Sequence, residues 1–210
     1  MMKRYLCLAL LLLAAACAAC TAEPVSSGTL TPISDGGMPD AYAETIALPN
    51  GSSVVSAVSA EQVRDGNATG WQYLLEEDMA PRVELQIYEN GAPQATVTVL
   101  PGSAGLNGTI LFGASASGDG YVWATDLKDS TGVQSHRYTY KTESVSEPRR
   151  LAASTTDIVP GADIWLAALL YDIEEGYAPT DIAALQEEGL DQVPLAAVLK
   201  LRFSGGDGQA

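Results

Sequence analysis

After residue 20 the chain contains no cysteine: Cys7, Cys17 and Cys20 are all it has. The remaining 190 residues can therefore form neither a disulfide nor a thiolate metal site. Histidine is as scarce. With His136 alone, acid–base or nucleophilic chemistry is limited to designs built on a single imidazole or on none. Positive charge is the third shortage, since 11 basic residues face 26 acidic ones, and Lys3 and Arg4 precede the cysteines. From residue 21 onward nine basic residues oppose 26 acidic ones, a formal charge of −17. A surface of that sign repels phosphate backbones, which excludes nucleic acid as a partner, and it repels anionic lipid headgroups too. Charged residues make up only 18% of the chain against 47% apolar, so a disordered acidic tail is also excluded, and stability has to come from a hydrophobic core.

What is present begins at the start of the chain. Lys3-Arg4 is followed by an uncharged apolar run from Tyr5 to Ala19, then by Cys20 and the polar Thr21 and Glu23. This order of basic, apolar, small and polar residues is that of a secretory signal. The run has 15 residues, short of the about 20 that a helix needs to cross a bilayer core. Cys17-Ala18-Ala19-Cys20 resembles the lipobox of bacterial lipoproteins, with Cys17 standing where Leu is usual. The resemblance implies removal of residues 1–19 and acylation of Cys20, with diacylglyceryl and palmitate-type chains. Ala14-Ala15-Ala16-Cys17 is a second box, which makes Cys17 the alternative site. A plain cut near Ala16-Cys17-Ala18, releasing a soluble β-domain, is the other reading. A multiply acylated cysteine anchors durably, because each buried methylene adds about 0.8 kcal/mol of membrane affinity. The implied location is the extracytoplasmic face of a cell membrane or outer membrane.

Residues 20–40, rich in Ser, Thr, Gly and Pro, read as the lipidated cysteine and a flexible tether; residues 204–210 read as a disordered tail. Between them, 41–203 reads as one β domain. Val83, Leu85 and Ile87 alternate along 82–88, and Ala95, Val97 and Val99 along 94–100. The intervening Asn90-Gly91 tolerates positive φ, so these stretches form a hairpin. Further strands are expected at 109–115, 121–127 and 133–142, and in the apolar run 164–171 that follows Pro160-Gly161. A helix is expected over 181–188, with Thr180 as N-cap and Gly189 as stop, before a closing strand within 193–203. The fold class is all-β: a mostly antiparallel sandwich with one short helix. The stretch GYVWATDLKDSTG resembles the strand, turn, strand passage of bacterial immunoglobulin-like modules, which implies an immunoglobulin-like sandwich.

The chemistry-bearing candidates each have a plain counterpart. Asp65-Gly66-Asn67-Ala68-Thr69-Gly70, with Glu76 at loop position 12, follows much of a calcium-loop pattern; a turn leading into a strand or short helix fits as well. Ser115, in Gly-Ala-Ser-Ala-Ser, lacks the second glycine of a nucleophile elbow, and a triad with His136 competes with a half-exposed histidine among cross-strand aromatics. Glu76-Glu77-Asp78, Glu174-Glu175 and Glu187-Glu188 read as solvated faces, and Asp119, Asp126 and Asp129 as turn residues that could also gather a cation. Trp165 reads as core; Trp71 and Trp123, if exposed, would make a carbohydrate platform. These readings converge on a membrane-anchored bacterial surface lipoprotein acting as a non-catalytic binding or structural module, without cofactor. Its expected partners are the membrane, through the lipid, and a cell-wall glycan or protein. The alternative is a surface-attached hydrolase using Asp/Glu pairs from separate loops.

Overall fold

The computed structural model describes residues 26–33, 46–47, 53–54, 58, 62, 65, 67–118, 120–142, 145–174, 176–177 and 179–205. The signal segment, Cys17 and Cys20 lie outside them, as do Asp119, Glu175 and residues 206–210. No helix among the described residues is long and apolar enough to cross a membrane.

The molecule is organised by one strand, β4 (Ala68–Glu89), 22 residues long. Its first half pairs with β1 (Gly28–Pro32) and with β6 (Gly105–Ser117). Its second half, from Met79, pairs with β5 (Ala92–Pro101) and β12 (Leu195–Gly205). The register with β6 breaks between Leu74 and Met79, and there the strand changes partners. Pro81 falls in the gap between the β6 ladder, which ends at Met79, and the β5 ladder, which starts at Arg82. Sequence order then fills each leaf: β7 (Gly120–Asp129) and β8 (Gly132–Lys141) extend outward from β6, while β11 (Ile164–Tyr171) and β9 (Arg149–Ala152) extend from β12. The short β10 (Thr156–Asp157) adds to β1, and β2 (Ile46–Ala47) with β3 (Ser53–Val54) makes a separate two-stranded ladder.

Contacts across the core show that β4 turns back on itself. Tyr73, two residues before Leu75, meets Phe203, the partner of Pro81, edge to face at 5.0 Å. Further along, Thr98 on β5 bonds His136 on β8 at 2.8 Å. Furthest from the bend, Tyr121 on β7 meets Tyr171 on β11 at 4.0 Å. The two halves of β4 thus belong to facing leaves of an all-β, sandwich-like fold. The main core lies between the leaves, built from alternate residues such as Trp71, Tyr73, Val83, Leu85, Ile87, Leu199 and Leu201.

The bend defines a near end, which also holds Gly28, Gly102–Gly105, Asp129–Gly132 and Gly205. The far end holds Asn67, the Asn90-Gly91 turn, the Ser117–Gly120 turn and Tyr171. At Asn90-Gly91, φ values of 48° and 78° give the tight two-residue hairpin turn expected of that pair.

The outer face of the β12 leaf is covered by a short helix, α1 (Ile182–Glu188), whose Ile182 and Leu185 pack on Ala168, Leu170, Ala196 and Val198. This second layer is why β11 is apolar on both faces. On the other leaf, Val58 packs against Leu111 and Ala124.

Several expectations are corrected. Gly28–Pro32, within the stretch read as tether, is a strand of the sheet with Leu30 fully buried. Ser204 and Gly205, read as tail, continue β12. The N-cap is Asp181, not Thr180: its Oδ1 accepts the Ala184 N–H at 2.8 Å, while the Thr180 hydroxyl points to the Asp181 carboxylate. Replacing Asp181 by Ala is therefore expected to lower unfolding free energy by about 1 kcal/mol in urea titrations. Thr180→Ala should stay within about 0.5 kcal/mol.

Candidate functional site

The far end carries an aromatic cluster that sets the geometry of a pocket above it. Trp123 on β7 stacks near Tyr121, Tyr138 and Tyr140 at 6.3, 6.1 and 5.7 Å, and lies tilted to Tyr171 at 6.2 Å. Each such pair contributes about 0.5–1.5 kcal/mol beyond burial. Alternation puts Tyr121 and Trp123 on the inner face of β7, and Tyr138 and Tyr140 on the same face of β8, in direct register. The one buried polar hydrogen of Trp123, on Nε1, is donated to the Tyr171 hydroxyl at 2.8 Å. Burial raises the Tyr171 hydroxyl's pKa against the opposing pull of the Trp123 hydrogen bond and Arg150. Burial, followed by its bond to Glu89 at 2.9 Å, pushes Tyr140 up to about 12.

Above this cluster is a cavity of about 330 Å³, lined by Asn67, Ser115, Tyr121, Ser146, Glu147 and Arg150 among others. The Tyr121 hydroxyl accepts the Ser146 N–H at 2.7 Å and lies 3.2 Å from its Oγ. Arg150, on β9, donates from Nη2 to the Asn67 side-chain oxygen at 2.7 Å. The ion pairs among the described residues are Arg82–Glu84 and Arg202–Asp163, so Arg150's only bonded partner there is a neutral amide. Making no ion pair among the described residues, the Arg150 guanidinium is suited to a bidentate anionic or polar ligand, with Glu147 in the same lining.

A second groove, about 510 Å³, runs beside α1 and is walled by Trp165, Ser154, Thr156, Asp157 and Gln186. Trp165 is half-buried rather than core. Its indole sits under the Lys200 ammonium, 5.1 Å from the ring, and 6.4 Å from Tyr88, whose hydroxyl accepts from Lys200 at 2.7 Å. Two of the three carboxylates lining this groove are engaged: Asp163 pairs with Arg202 and Asp181 caps α1, while Asp157 is exposed.

The remaining candidates are dispersed. Thr69 and Glu76 lie in one extended strand, about 23 Å apart at about 3.3 Å per residue, while Asp65 is in a turn and Asn67 bonds Arg150. The residues of the calcium-loop pattern are not gathered around one point. No group of three or more His, Cys, Asp or Glu side chains among the described residues is close enough to hold a metal ion.

His136 and Ser115 lie on opposite faces of their leaf. His136 is bonded to Thr98 within the sandwich, and Ser115 accepts from Gln62 outside it. Asp126, read as a turn residue, is buried in mid-β7 and accepts the Val58 N–H at 3.1 Å. Asp129 does occupy a turn, where it accepts from Ser103 and Thr131. Glu77 and Asp78 are exposed, as are Glu187 and Glu188. Trp71 and Trp123 are core residues and offer no platform.

Arg150 and Tyr121 were missed as site residues because their significance depends on β9 and β7 meeting near Asn67, a relation without local periodicity. No family model, curated protein or solved structure matches this chain.

Tyr171→Phe strips the buried Trp123 Nε1–H of its acceptor and is expected to lower unfolding free energy by about 1–3 kcal/mol, measured by urea denaturation.

Proposed function

We propose that this chain is a bacterial surface lipoprotein, acylated at Cys20 (Cys17 being the alternative), whose β domain serves as a non-catalytic binding or structural module. The observation that carries this reading is the order of Lys3-Arg4, the apolar run 5–19, the small residues and Cys20 at the boundary with polar sequence. The thiolate is the nucleophile that accepts the lipid. The placement of Ser115 and His136 on opposite faces supports a role without that pair. A cell-wall glycan or a protein is the proposed partner, met at the far-end pocket through Arg150, Asn67 and Ser146. The likeness to immunoglobulin-like modules is compatible with such a role, and the fold by itself assigns none.

Cells expressing the chain with radioactive palmitate should yield a labelled, membrane-associated band. Cys20→Ser should remove both label and membrane association, and persistence of the label in that variant would move the site to Cys17.

A further inference from the structure

The proposed acylation and the position of β1 together restrict how the domain can sit. β1 starts at Gly28, and Ser27 is already tied into the sheet: its N–H donates to the Ile158 carbonyl at 2.8 Å, and its carbonyl accepts from Glu76 at 3.0 Å. Six residue steps separate Cys20 from Ser26, a reach of at most about 21 Å for a fully extended chain. Without β1, an attachment beginning at residue 41 would have allowed more than three times that contour length.

The attachment point lies at the near end, beside the bend of β4, because Gly28 pairs with Leu75. The far-end turn Ser117–Gly120 is removed from it by seven residues of β4 and four more of β6, about 35 Å along the strands. That exceeds the tether's reach. The exposed charged side chains beside the attachment are Glu76, Glu77, Asp78 and Asp157, next to the exposed Thr29 and Leu74, so an anionic bilayer repels the charged surface closest to it and does not draw the domain down flat.

We infer that the acylated domain is held with its near end closest to the membrane surface, with the far-end pocket of Asn67, Tyr121 and Arg150 directed away from the bilayer. This rests on the lipoprotein reading above and adds to it the surface that faces the lipid. The partner of the far-end pocket is then a molecule presented from the cell-wall side, not a lipid headgroup of the same leaflet.

The test uses the full acylated protein reconstituted in anionic vesicles at low salt. The processed chain's only native cysteine is the acylated one, so a single engineered thiol takes one nitroxide label. Asp78→Cys labels the near end. Gly118→Cys labels the far end, where an added Cβ meets nothing within 4 Å. Ser130→Cys serves as a second near-end site should Asp78→Cys fold poorly. Nickel chelated on lipid headgroups should enhance nitroxide relaxation several-fold more at position 78 or 130 than at 118. Equal enhancement at both ends, in protein whose mass shows the acyl chains, overturns the orientation alone. Protein that carries no acyl group overturns the lipoprotein reading and the orientation with it.

Discussion

Everything else in this domain depends on β4 belonging to both leaves. Met79 is where the strand leaves β6 for β5 and β12, and the inward residues on either side of it, Trp71 and Tyr73 before, Val83, Leu85 and Ile87 after, fill one core from opposite walls. A domain without cysteine must secure such facing leaves by apolar burial and cross-leaf contacts alone. It does so at three levels: Tyr73 with Phe203 near the bend, Thr98 with His136 midway, and Trp123 with Tyr171 at the far end. Because hydrophobic burial is non-directional, the hydrogen bonds and ring geometries contribute what burial lacks, a unique alignment of the leaves.

The same strand links the chain's entry into the sheet to the candidate site. Ser27 and Gly28 join the sheet beside Glu76 and Leu75, whereas Asn67, at the other extremity of the first half of β4, holds Arg150 at the pocket. Under the proposed acylation of Cys20, the polar cavity lies at the end of the domain opposite its attachment, which makes the far end the reachable surface. Its strong negative charge repels an anionic bilayer, so on the proposed reading the lipid is the means of attachment.

The hairpin around Asn90-Gly91, the strands on either side of the Gly118–Gly120 and Ser130–Gly132 turns, the β11 strand and the stop at Gly189 were legible because each is encoded locally, by alternation or by a residue that tolerates positive φ. The first half of β4 was obscured. Trp71, Tyr73 and Leu75 alternate, but Glu76-Glu77-Asp78 and Pro81 imitate a loop, and only the exchange of partner strands at the bend explains them. β1 was hidden for a related reason, since its Thr29 and Thr31 face solvent and only Leu30 is inward. Trp165 was misassigned because an apolar run does not reveal that its first turn of sheet lies at a rim, under Lys200. The far-end pocket was illegible because Asn67 and Arg150 are 83 residues apart.

Native-state hydrogen exchange tests the central claim most directly. If β4 is one strand binding both leaves into a single cooperative unit, the slowest amides of 69–74 and of 83–88 should exchange through the same global opening, with equal free energies and equal denaturant dependence. Two distinct opening free energies, one for each half of β4, would contradict it and make the leaves separate folding units.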